Sequence, residues 1–363
     1  MFWTRFAAAL LCALFVTEAT QAQDATPAPS IALADLPPSA RITEILPVWQ
    51  DINRCSAAAF TIQLSHFTGD RPYDAVIQAL NPHPEDVSVR LEEMVRVAND
   101  TYGLQGVIRY AGTIDILKRL VAAGFPVLVE NVYYDGAGGF DDWLSHNRVI
   151  MGYDDALSEL YTFDPLLGMG PDETGRPIPY ADYDTRWQAF NYNYLILYRP
   201  EQEAALQAVL GNDWDVTTNL EHALARAEAD RTSDGLLDNT FAEFNLGSTL
   251  TMLGRYEEAA AAFDVARNVG LPRRMMWYQF GPFEAYYEVG RYQDVIDLAR
   301  SVIANTPGVE EVYYYAGRAY AALGDPVRAE GNYEVAILRN RYFREPVDAM
   351  AELVGATPAP AGS

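Results

Sequence analysis

The stretch QDINRCSAAAFTIQLSHF at residues 50–67 places Cys55 at the start of a predicted helix. From Ser56 to Phe67 the residues favour helix, and apolar side chains recur at helical spacing. The N-terminus of a helix carries partial positive charge, which stabilises a thiolate and lowers the pKa of a cysteine placed there. Free cysteine is also commonly a buried core residue. The stretch therefore predicts either a reactive thiol or a buried structural cysteine.

The segments that follow this helix indicate the fold class of the first half of the chain. Two more amphipathic helices are predicted at 89–99 and 114–123. Four short runs rich in β-forming residues come next, at 126–132, 147–152, 159–163 and 192–198. Helices followed by closely spaced strands are typical of an α+β domain, which we place at residues 41–200.

After Pro200 the sequence becomes helical and repeats itself. Gly254, Gly290 and Gly324 mark equivalent positions, 36 and 34 residues apart. Small residues allow two helices to approach closely, and large aromatic residues fill the space beside them. This period and pattern resemble the tetratricopeptide repeat (TPR) and predict an all-α domain at 201–345. Its three repeats are expected at about 240–273, 276–309 and 310–343.

The middle repeat departs from this pattern at Gly281-Pro282, which interrupts its first helix. Proline lacks a backbone N–H and is tolerated only in the first turn of a helix. We therefore expect this helix to be kinked or to start late, at Pro282.

The N-terminus has the features of a secretory signal. Arg5 precedes an apolar run at 6–16, and Thr20-Gln21-Ala22 offers small residues for cleavage before Gln23. An uncleaved N-terminal anchor is the alternative. The expected boundaries are a signal peptide at 1–22, a linker at 23–40 and a C-terminal tail at 346–363. The protein would be exported to the cell envelope or the extracellular space without stable membrane insertion, because no later stretch is apolar enough to cross a bilayer.

The composition excludes several classes of function. Lys and Arg number 26 and Asp and Glu number 50, so the formal net charge is 26 − 50 = −24. A surface this acidic repels phosphate backbones, so nucleic acid is not expected as a partner. Two cysteines exclude a disulfide scaffold. The four histidines do not have metal-ligand spacing, so we expect neither a metal nor a cofactor.

Four residues form a set suited to thiol catalysis: Gln50, Cys55, His146 and Asp164. An imidazolium at His146 would lower the pKa of the thiol and then protonate a leaving amine. Asp164 would accept the other ring N–H and fix the orientation of the imidazole, if the two residues face each other on neighbouring antiparallel strands. The Gln50 amide would donate to a developing oxyanion, which is worth about 10²–10³ in rate.

These residues carry a family resemblance, together with FPVLV at 125–129, VIMGYD at 149–154 and Asp164-Pro165. They resemble the double-glycine (bacteriocin-processing) peptidase-like group of papain-fold cysteine peptidases, over about residues 43–200. The resemblance implies a papain-like fold and a hydrolase acting on peptides or proteins, with Cys55 as nucleophile, His146 as base, Asp164 as orienting residue and Gln50 in the oxyanion hole. The specificity for double-glycine leaders is not inferred, because the named peptidases usually form part of a transporter.

Two residues beside the nucleophile depart from the family pattern. Ser56 follows Cys55 where the family usually has glycine, and Arg54 precedes it where asparagine or aspartate is more frequent. Ser56 adds a side chain at a crowded helix start, which favours an alternative in which the chain is a non-catalytic binding scaffold. A third hypothesis keeps the thiol chemistry but makes the protein an acyltransferase or amidase.

Substrate contacts are predicted in the segment 131–145, just before His146. It is rich in glycine and aromatic residues, and we expect it to form a mobile rim of the cleft. Its candidate substrate-binding residues are Tyr133, Tyr134 and Trp143. The repeats would offer a concave surface to a protein partner or hold the substrate near the cleft.

Overall fold

The computed structural model describes residues 36–134, 141–231 and 236–355. Within them, an antiparallel sheet with packed helices is followed by a long series of helices. The predicted signal peptide, most of the predicted linker and residues 356–363 of the predicted tail lie outside the described residues, as do 135–140 of the predicted rim. In the described ranges, no helix combines the length and apolarity needed to span a membrane.

The described strands form one seven-stranded sheet in which every pairing is antiparallel. The strands are β1 (Ser39–Arg41), β2 (Gln105–Arg109), β3 (Val127–Tyr134), β4 (Trp143–Asp154), β5 (Glu159–Phe163), β6 (Arg176–Pro179) and β7 (Tyr194–Tyr198). Their order is β2-β7-β3-β4-β5-β6, with β1 beside β4. The predicted linker at 23–40 is therefore too long, because Ser39 and Ala40 already pair with Asp154 and Tyr153.

Strand β4 organises the sheet and carries the polar residues of the later site. It pairs with β3 from Trp143 to Ile150 and with β5 from Val149 to Asp154. Every residue from His146 to Tyr153 is buried. Buried polar groups are almost always hydrogen-bonded. The polar residues of this strand therefore need partners inside the protein.

Five helices belong to the first domain: α1 (Cys55–Thr68), α2 (Tyr73–Leu80), α3 (Leu91–Tyr102), α4 (Ile114–Ala122) and α5 (Tyr180–Trp187). The sequence indicated an apolar stripe along α1, but α1 is buried on all sides from Ser56 to Ser65. The cause is its position, since it packs on β3 and β4 and is also covered by α2. Its buried Gln63 donates to the carbonyls of Pro126 (3.0 Å) and Leu195 (2.9 Å), which ties the helix to the sheet.

The second half contains nine described α-helices: α6 (Glu203–Leu210), α7 (Val216–Asp230), α8 (Leu236–Met252), α9 (Tyr256–Val269), α10 (Gly281–Glu288), α11 (Tyr292–Ile303), α12 (Glu310–Ala322), α13 (Pro326–Arg339) and α14 (Glu345–Leu353). Helix α10 begins at Gly281 with Pro282 in its first turn, which matches the predicted late start. Residues 346–353, predicted as tail, instead continue α14.

Glycines mark the closest approaches between paired helices. A β-carbon at Gly247 of α8 would lie 2.7 Å from the ring of Phe263 on α9. At Gly317 of α12 it would lie 2.5 Å from the ring of Tyr333 on α13. Such distances are too short for any side chain other than hydrogen. The helical region fits the predicted repeat pattern in this respect, and the assignment of TPR repeats remains a prediction.

The sheet domain and the helices share buried contacts. Val132, Trp143 and Phe190 of the first domain belong to the same apolar cluster as Phe244 and Phe263 of the helices. The ring of Trp143 stacks on Phe190, with centroids 5.5 Å apart. The two regions are therefore joined by a common core.

Four buried carboxylates also lie where the two regions meet: Asp86, Glu93, Glu310 and Glu311. Arg90 faces Glu93 (3.9 Å) and Glu311 (3.6 Å), and Asn340 donates to Glu93 (3.2 Å) and Glu310 (2.7 Å). Burial, followed by repulsion from neighbouring carboxylates, raises the pKa of Asp86, Glu310 and Glu311 well above the ordinary carboxyl value. These groups therefore favour the protonated form in the folded chain.

We expect the free energy of unfolding to fall as the pH rises from about 5 to about 8. A carboxyl group with a raised folded-state pKa keeps a proton that the unfolded chain has released. Its stabilising contribution is complete below the ordinary pKa of about 4 and is lost as the pH rises through the raised value. The change Glu311→Gln should reduce this slope, measured by urea denaturation across the range. Glu257→Gln, on the exposed face of α9, should leave it unchanged. An unaltered slope in Glu311→Gln would contradict the interpretation.

Candidate active site

Cys55 is the first residue of α1, at an uncapped helix N-terminus. The preceding Arg54 makes no side-chain capping bond, and the first turn holds no acidic residue. The first backbone N–H bonded within the helix is that of Ala58, to Arg54. The N–H groups of Cys55, Ser56 and Ala57 have no acceptor within the described chain. Free N–H groups and the helix dipole together favour negative charge at this point.

A cavity of about 100 Å³ opens beside the thiol. Cys55 itself is partly exposed. The cavity wall includes Gln50, Tyr133 and His146 from the first domain and Tyr278 from the helical region. The thiol is therefore accessible to a small group entering from this side.

His146 lies between Cys55 and Asp164. Its Nε2 is 2.8 Å from Oδ1 of Asp164, and the interaction of the ring with the thiol of Cys55 shifts the pKa of both groups. Because Nε2 is engaged by the carboxylate, the other ring nitrogen, Nδ1, is left for the sulfur. The imidazole is 2% exposed and is held in place from both sides.

Asp164 follows β5 and is anchored by more than the imidazole. Its Oδ1 also accepts the backbone N–H groups of Leu166 (2.9 Å) and Leu167 (2.8 Å). Its Oδ2 lies 2.6 Å from Nε of Arg148. Arg148 is two residues after His146 on β4, so the two side chains emerge on the same face. The carboxylate thus bridges two neighbouring basic side chains.

Asn131, on the adjacent strand β3, contacts both Arg148 and the backbone of His146. Asn131 is paired with His146 in the β-sheet register. In the amide orientation that satisfies both groups, its oxygen accepts from Nη1 of Arg148 (3.0 Å) and its nitrogen donates to the His146 carbonyl (2.8 Å). The buried guanidinium of Arg148 is therefore oriented by Asn131 and Asp164 together.

The pKa shifts of the three residues agree with an ion pair. Burial alone raises the pKa of Cys55, but the hydrogen bond and charge of His146 outweigh it and lower the pKa overall. Burial alone lowers the pKa of His146, but the charge and hydrogen bond of Asp164 raise it overall. The pKa of Asp164 is lowered despite burial, because His146 and then Arg148 stabilise its charge. The site favours a thiolate, an imidazolium and a carboxylate.

Gln50 lies in the same cavity wall as Cys55 and His146. Its backbone N–H donates to the carbonyl of Pro165 (3.0 Å), which ties it to the turn that follows Asp164. Its Oε1 is buried and has no hydrogen-bond partner among the described residues. The side-chain amide is therefore not fully engaged by the protein.

The two residues that depart from the family pattern have partners of their own. Ser56 Oγ donates to Oδ1 of Asn147 (2.7 Å) and lies 3.9 Å from the sulfur of Cys55. Arg54 is buried and donates to the carbonyl of His83 (3.4 Å). Ser56 therefore does not separate the thiol from His146.

The predicted substrate-binding residues have different surroundings. Tyr133 lines the cavity, and its ring centroid is 6.1 Å from that of His146. Tyr134, the next residue on β3, packs against the core shared with the helices. Trp143 is fully buried between Phe190 and Tyr278, so its prediction as a substrate contact is wrong. The Trp143 ring instead fills space between the first domain and the helical region, where it is part of their shared core.

The sequence-based prediction missed several residues of the site. Arg148 had a usable signal, since it follows His146 by two positions on a predicted strand. Asn147 contacts Ser56, and its Oδ1 lies 3.8 Å from the sulfur of Cys55. Tyr278 had no local signal, because only the docking of the helical region brings it to the cavity.

The remaining histidines lie elsewhere. His66 meets the Glu44 carbonyl (3.1 Å), His83 accepts from the Glu85 N–H (3.3 Å), and His222 pairs with Asp213 at the surface (2.8 Å). Among the described residues, no group of three or more His, Cys, Asp or Glu side chains is arranged to hold a metal ion.

Solved structures similar to this chain include two peptidases. A putative C39-like peptidase from Bacillus anthracis is 13% identical, with 44% of this chain and 98% of that chain covered and a TM-score of 0.33. A double glycine motif protease from an AMS/PCAT transporter, in complex with the leader peptide, is 19% identical, with 44% and 93% covered and a TM-score of 0.31. A MamA RS-1 ArsTM double mutant is 17% identical, with 38% and 75% covered and a TM-score of 0.34.

A comparison with curated proteins finds no match. Residues 34–195 match the family described as the Peptidase_C39 like family. This range contains the whole sheet except the last residues of β7, and it contains Gln50, Cys55, His146 and Asp164. Residues 34–195 therefore form a Peptidase_C39-like domain, which is followed by a helical region.

Proposed function

We propose that this protein is an exported cysteine peptidase that hydrolyses peptide amide bonds through Cys55, His146 and Asp164. One observation carries the proposal: at an uncapped helix N-terminus, the thiol interacts with an imidazole that is itself hydrogen-bonded to a carboxylate. The family match supports cysteine peptidase chemistry in this domain. Structural cysteines do not require such a series of partners.

In the first step, the thiolate of Cys55 attacks the scissile carbonyl carbon. The C=O bond becomes a C–O⁻ bond, and the oxyanion needs donors at about 3 Å. The free N–H of Cys55 and the side-chain amide of Gln50 are the available donors in the cavity wall. The site is thus prepared to stabilise the charge that develops during the attack.

In the next steps, His146 moves the protons. The imidazolium protonates the leaving amine as the C–N bond breaks, which leaves an acyl-thioester on Cys55. The neutral imidazole then takes a proton from water, whose oxygen attacks the thioester, and Cys55 departs as thiolate. Asp164 holds the ring throughout and stabilises its charged form.

The helical region has a proposed role in protein recognition. If its helices are TPR repeats, their surface would bind a protein partner or keep the substrate near the cleft. The contact of Tyr278 with the thiol cavity supports the second role, because one wall of the cavity comes from this region. Export rests on the N-terminal sequence alone.

The pH dependence of Cys55 alkylation tests the proposal. With iodoacetamide, the wild-type rate should have its midpoint below that of an ordinary cysteine, because His146 stabilises the thiolate. In His146→Ala the midpoint should move to about 8.5, the ordinary cysteine value, or above it, because His146 no longer opposes the effect of burial. The other cysteine of the sequence, Cys12, lies in the predicted signal peptide. A Cys55→Ala variant reports any reaction at Cys12 and should cleave no peptide.

A wild-type midpoint near 8.5 would instead support the non-catalytic scaffold. Low-pH alkylation combined with peptide cleavage by the wild type, but not by Cys55→Ala, would support the peptidase.

A further inference from the structure

A larger cavity of about 330 Å³ lies between the sheet domain and the helices, and we call it the interdomain cavity. Tyr278 lines both this cavity and the cavity beside Cys55. Ligand-binding cavities in proteins begin at about 300 Å³, so the volume suits one side chain or a small group. Because Tyr278 lines both cavities, the interdomain cavity lies next to the cavity beside the thiol.

The cavity is linked to the thiol by a second route through the sheet. Glu130, which lines the interdomain cavity, is paired with Asn147 in the register of β3 and β4. Side chains directly opposite each other in a sheet have β-carbons about 5 Å apart. Asn147 in turn lies 3.8 Å from the sulfur of Cys55. One residue therefore separates the Glu130 carboxylate from the nucleophile.

The chemistry of the wall combines carboxylates with aromatic rings. Its four carboxylates are Glu92, Glu130, Glu284 and Glu311. Its single basic side chain, Arg90, already faces Glu93, Glu311 and Glu345. Aromatic rings from both regions complete the wall: Tyr110, Phe190, Tyr278, Phe280, Tyr314 and Tyr315. Carboxylates and aromatic faces both attract cations.

Two of these carboxylates form no close ion pair within the described chain, although the charge of Glu92 acts on Arg90. Glu130 accepts from Asn193 but forms no ion pair, and Glu92 forms none either. Burial, followed by the charge of Glu92, raises the pKa of Glu130 to about 7. Glu130 is half-buried. A carboxylate partly withdrawn from water without a counter-ion is costly, and a bound cation would reduce that cost.

A third acidic side chain, that of Glu311, also indicates a bound group in this cavity. Glu311 is 2% exposed, and its Oε1 faces Arg90 (3.6 Å) and Ser88 (3.5 Å). Its Oε2 is buried with no hydrogen-bond partner among the described residues. Natural proteins rarely leave a buried oxygen unsatisfied. This oxygen belongs to a residue that lines the cavity, so a polar group bound there would complete its hydrogen bonding.

We propose that the interdomain cavity is a substrate subsite that binds the positively charged side chain of an arginine or lysine residue near the scissile bond. The cation lies between Glu130 and Glu92 and against the aromatic rings. The assignment of the cavity to a peptide substrate rests on the proposed peptidase function. The helical region then takes part in specificity directly, because it supplies Tyr278 and much of the aromatic wall.

Binding can be measured without catalysis. The probes are acetyl-arginine-methylamide and its neutral counterpart acetyl-citrulline-methylamide, titrated against the full chain by calorimetry. The arginine compound should bind about tenfold more tightly, and its affinity should rise from pH 6 to pH 8 as Glu130 loses its proton. In Glu130→Gln this preference should fall to about twofold or less, whereas the exposed Glu257→Gln should retain it.

A second variant, Glu92→Gln, controls for a folding defect caused by replacing the half-buried Glu130. Glu92 is exposed, so its replacement leaves the core intact, and the preference for arginine should fall about threefold. Equal binding of the arginine and citrulline compounds to the wild type would overturn the cation site.

Peptide cleavage tests whether the cation that binds in the cavity is a side chain of the substrate. Quenched peptides that differ only in arginine or citrulline, at one position at a time, should show at least a tenfold preference for arginine at one position. The preference should appear mainly in KM and should be lost in Glu130→Gln. Arginine binding without any position-dependent preference in cleaved peptides would overturn the subsite. Glu130-dependent binding in a chain that cleaves no peptide would refute the peptidase function and still support the cation site.

Discussion

Replacing Asp164 by asparagine should lower kcat/KM by about 10³–10⁴-fold. Asparagine keeps the shape of the side chain but loses the charge that holds His146 as an imidazolium in the correct orientation. The same change should cost about 3–5 kcal/mol of stability, because Arg148 is buried and would lose its counter-ion. Peptide cleavage and urea denaturation of the same preparation measure the two effects.

A double variant separates the two roles of Asp164. Arg148→Met combined with Asp164→Asn removes the buried cation and its partner together, so most of the lost stability should return. The activity should stay low, because His146 still lacks its carboxylate. Arg148→Met alone keeps the bond between Asp164 and His146 and should reduce kcat/KM by no more than about tenfold. Full activity in the double variant would mean that Asp164 serves only to neutralise Arg148.

Replacing Gly308 by alanine should destabilise the protein by about 3 kcal/mol. Gly308 lies in the turn before α12, where the helical region meets the first domain. A β-carbon there would lie 1.9 Å from the carbonyl oxygen of Glu85 and 3.0 Å from the amide nitrogen of Asp86. Both atoms belong to backbone, so the clash cannot be relieved by a side-chain rotation and the two regions must move apart.

A matched glycine in the same region shows what the substitution does without the clash. Gly331 lies within α13, and a β-carbon there would meet nothing within 4 Å. Alanine should therefore stabilise the helix by up to about 1 kcal/mol, since glycine loses more backbone freedom on folding. Urea denaturation of both variants should give shifts of opposite sign. A Gly308→Ala variant with wild-type stability would contradict the docking of the two regions, and a destabilised Gly331→Ala would contradict the open surroundings of Gly331.

Local patterns in the sequence predicted the strongly periodic elements. Helix α1 and strands β3, β5 and β7 were expected within a few residues of their observed bounds, because apolar periodicity and β-branched residues mark them clearly. Strands β2 and β6 were not predicted. β2 is a short strand whose residues are mostly half-exposed, and β6 contains two prolines, so neither shows the alternation that reveals a strand.

The surroundings of individual side chains were harder to predict. Trp143 was expected at the surface because it lies near a glycine-rich stretch, but the helical region covers it and makes it part of the shared core. Conversely, the proximity of Gly308 to Glu85 has no sequence signal, since it depends on a contact between residues far apart in the chain. Burial is a property of the docked structure, and hydrophobicity alone does not specify it.

The sequence by itself determined the chemical inventory of this protein: a cysteine at the start of a helix, a histidine on a strand, an aspartate after the next strand and a helical region of regular period. Tertiary structure alone decided that Arg148 shares the aspartate, that Tyr278 closes the thiol cavity and that unpaired carboxylates line the space between the two regions. The reason is physical. Helical and strand patterns are set by neighbours within a few residues, whereas burial, pKa and cavity shape depend on groups that only packing brings together.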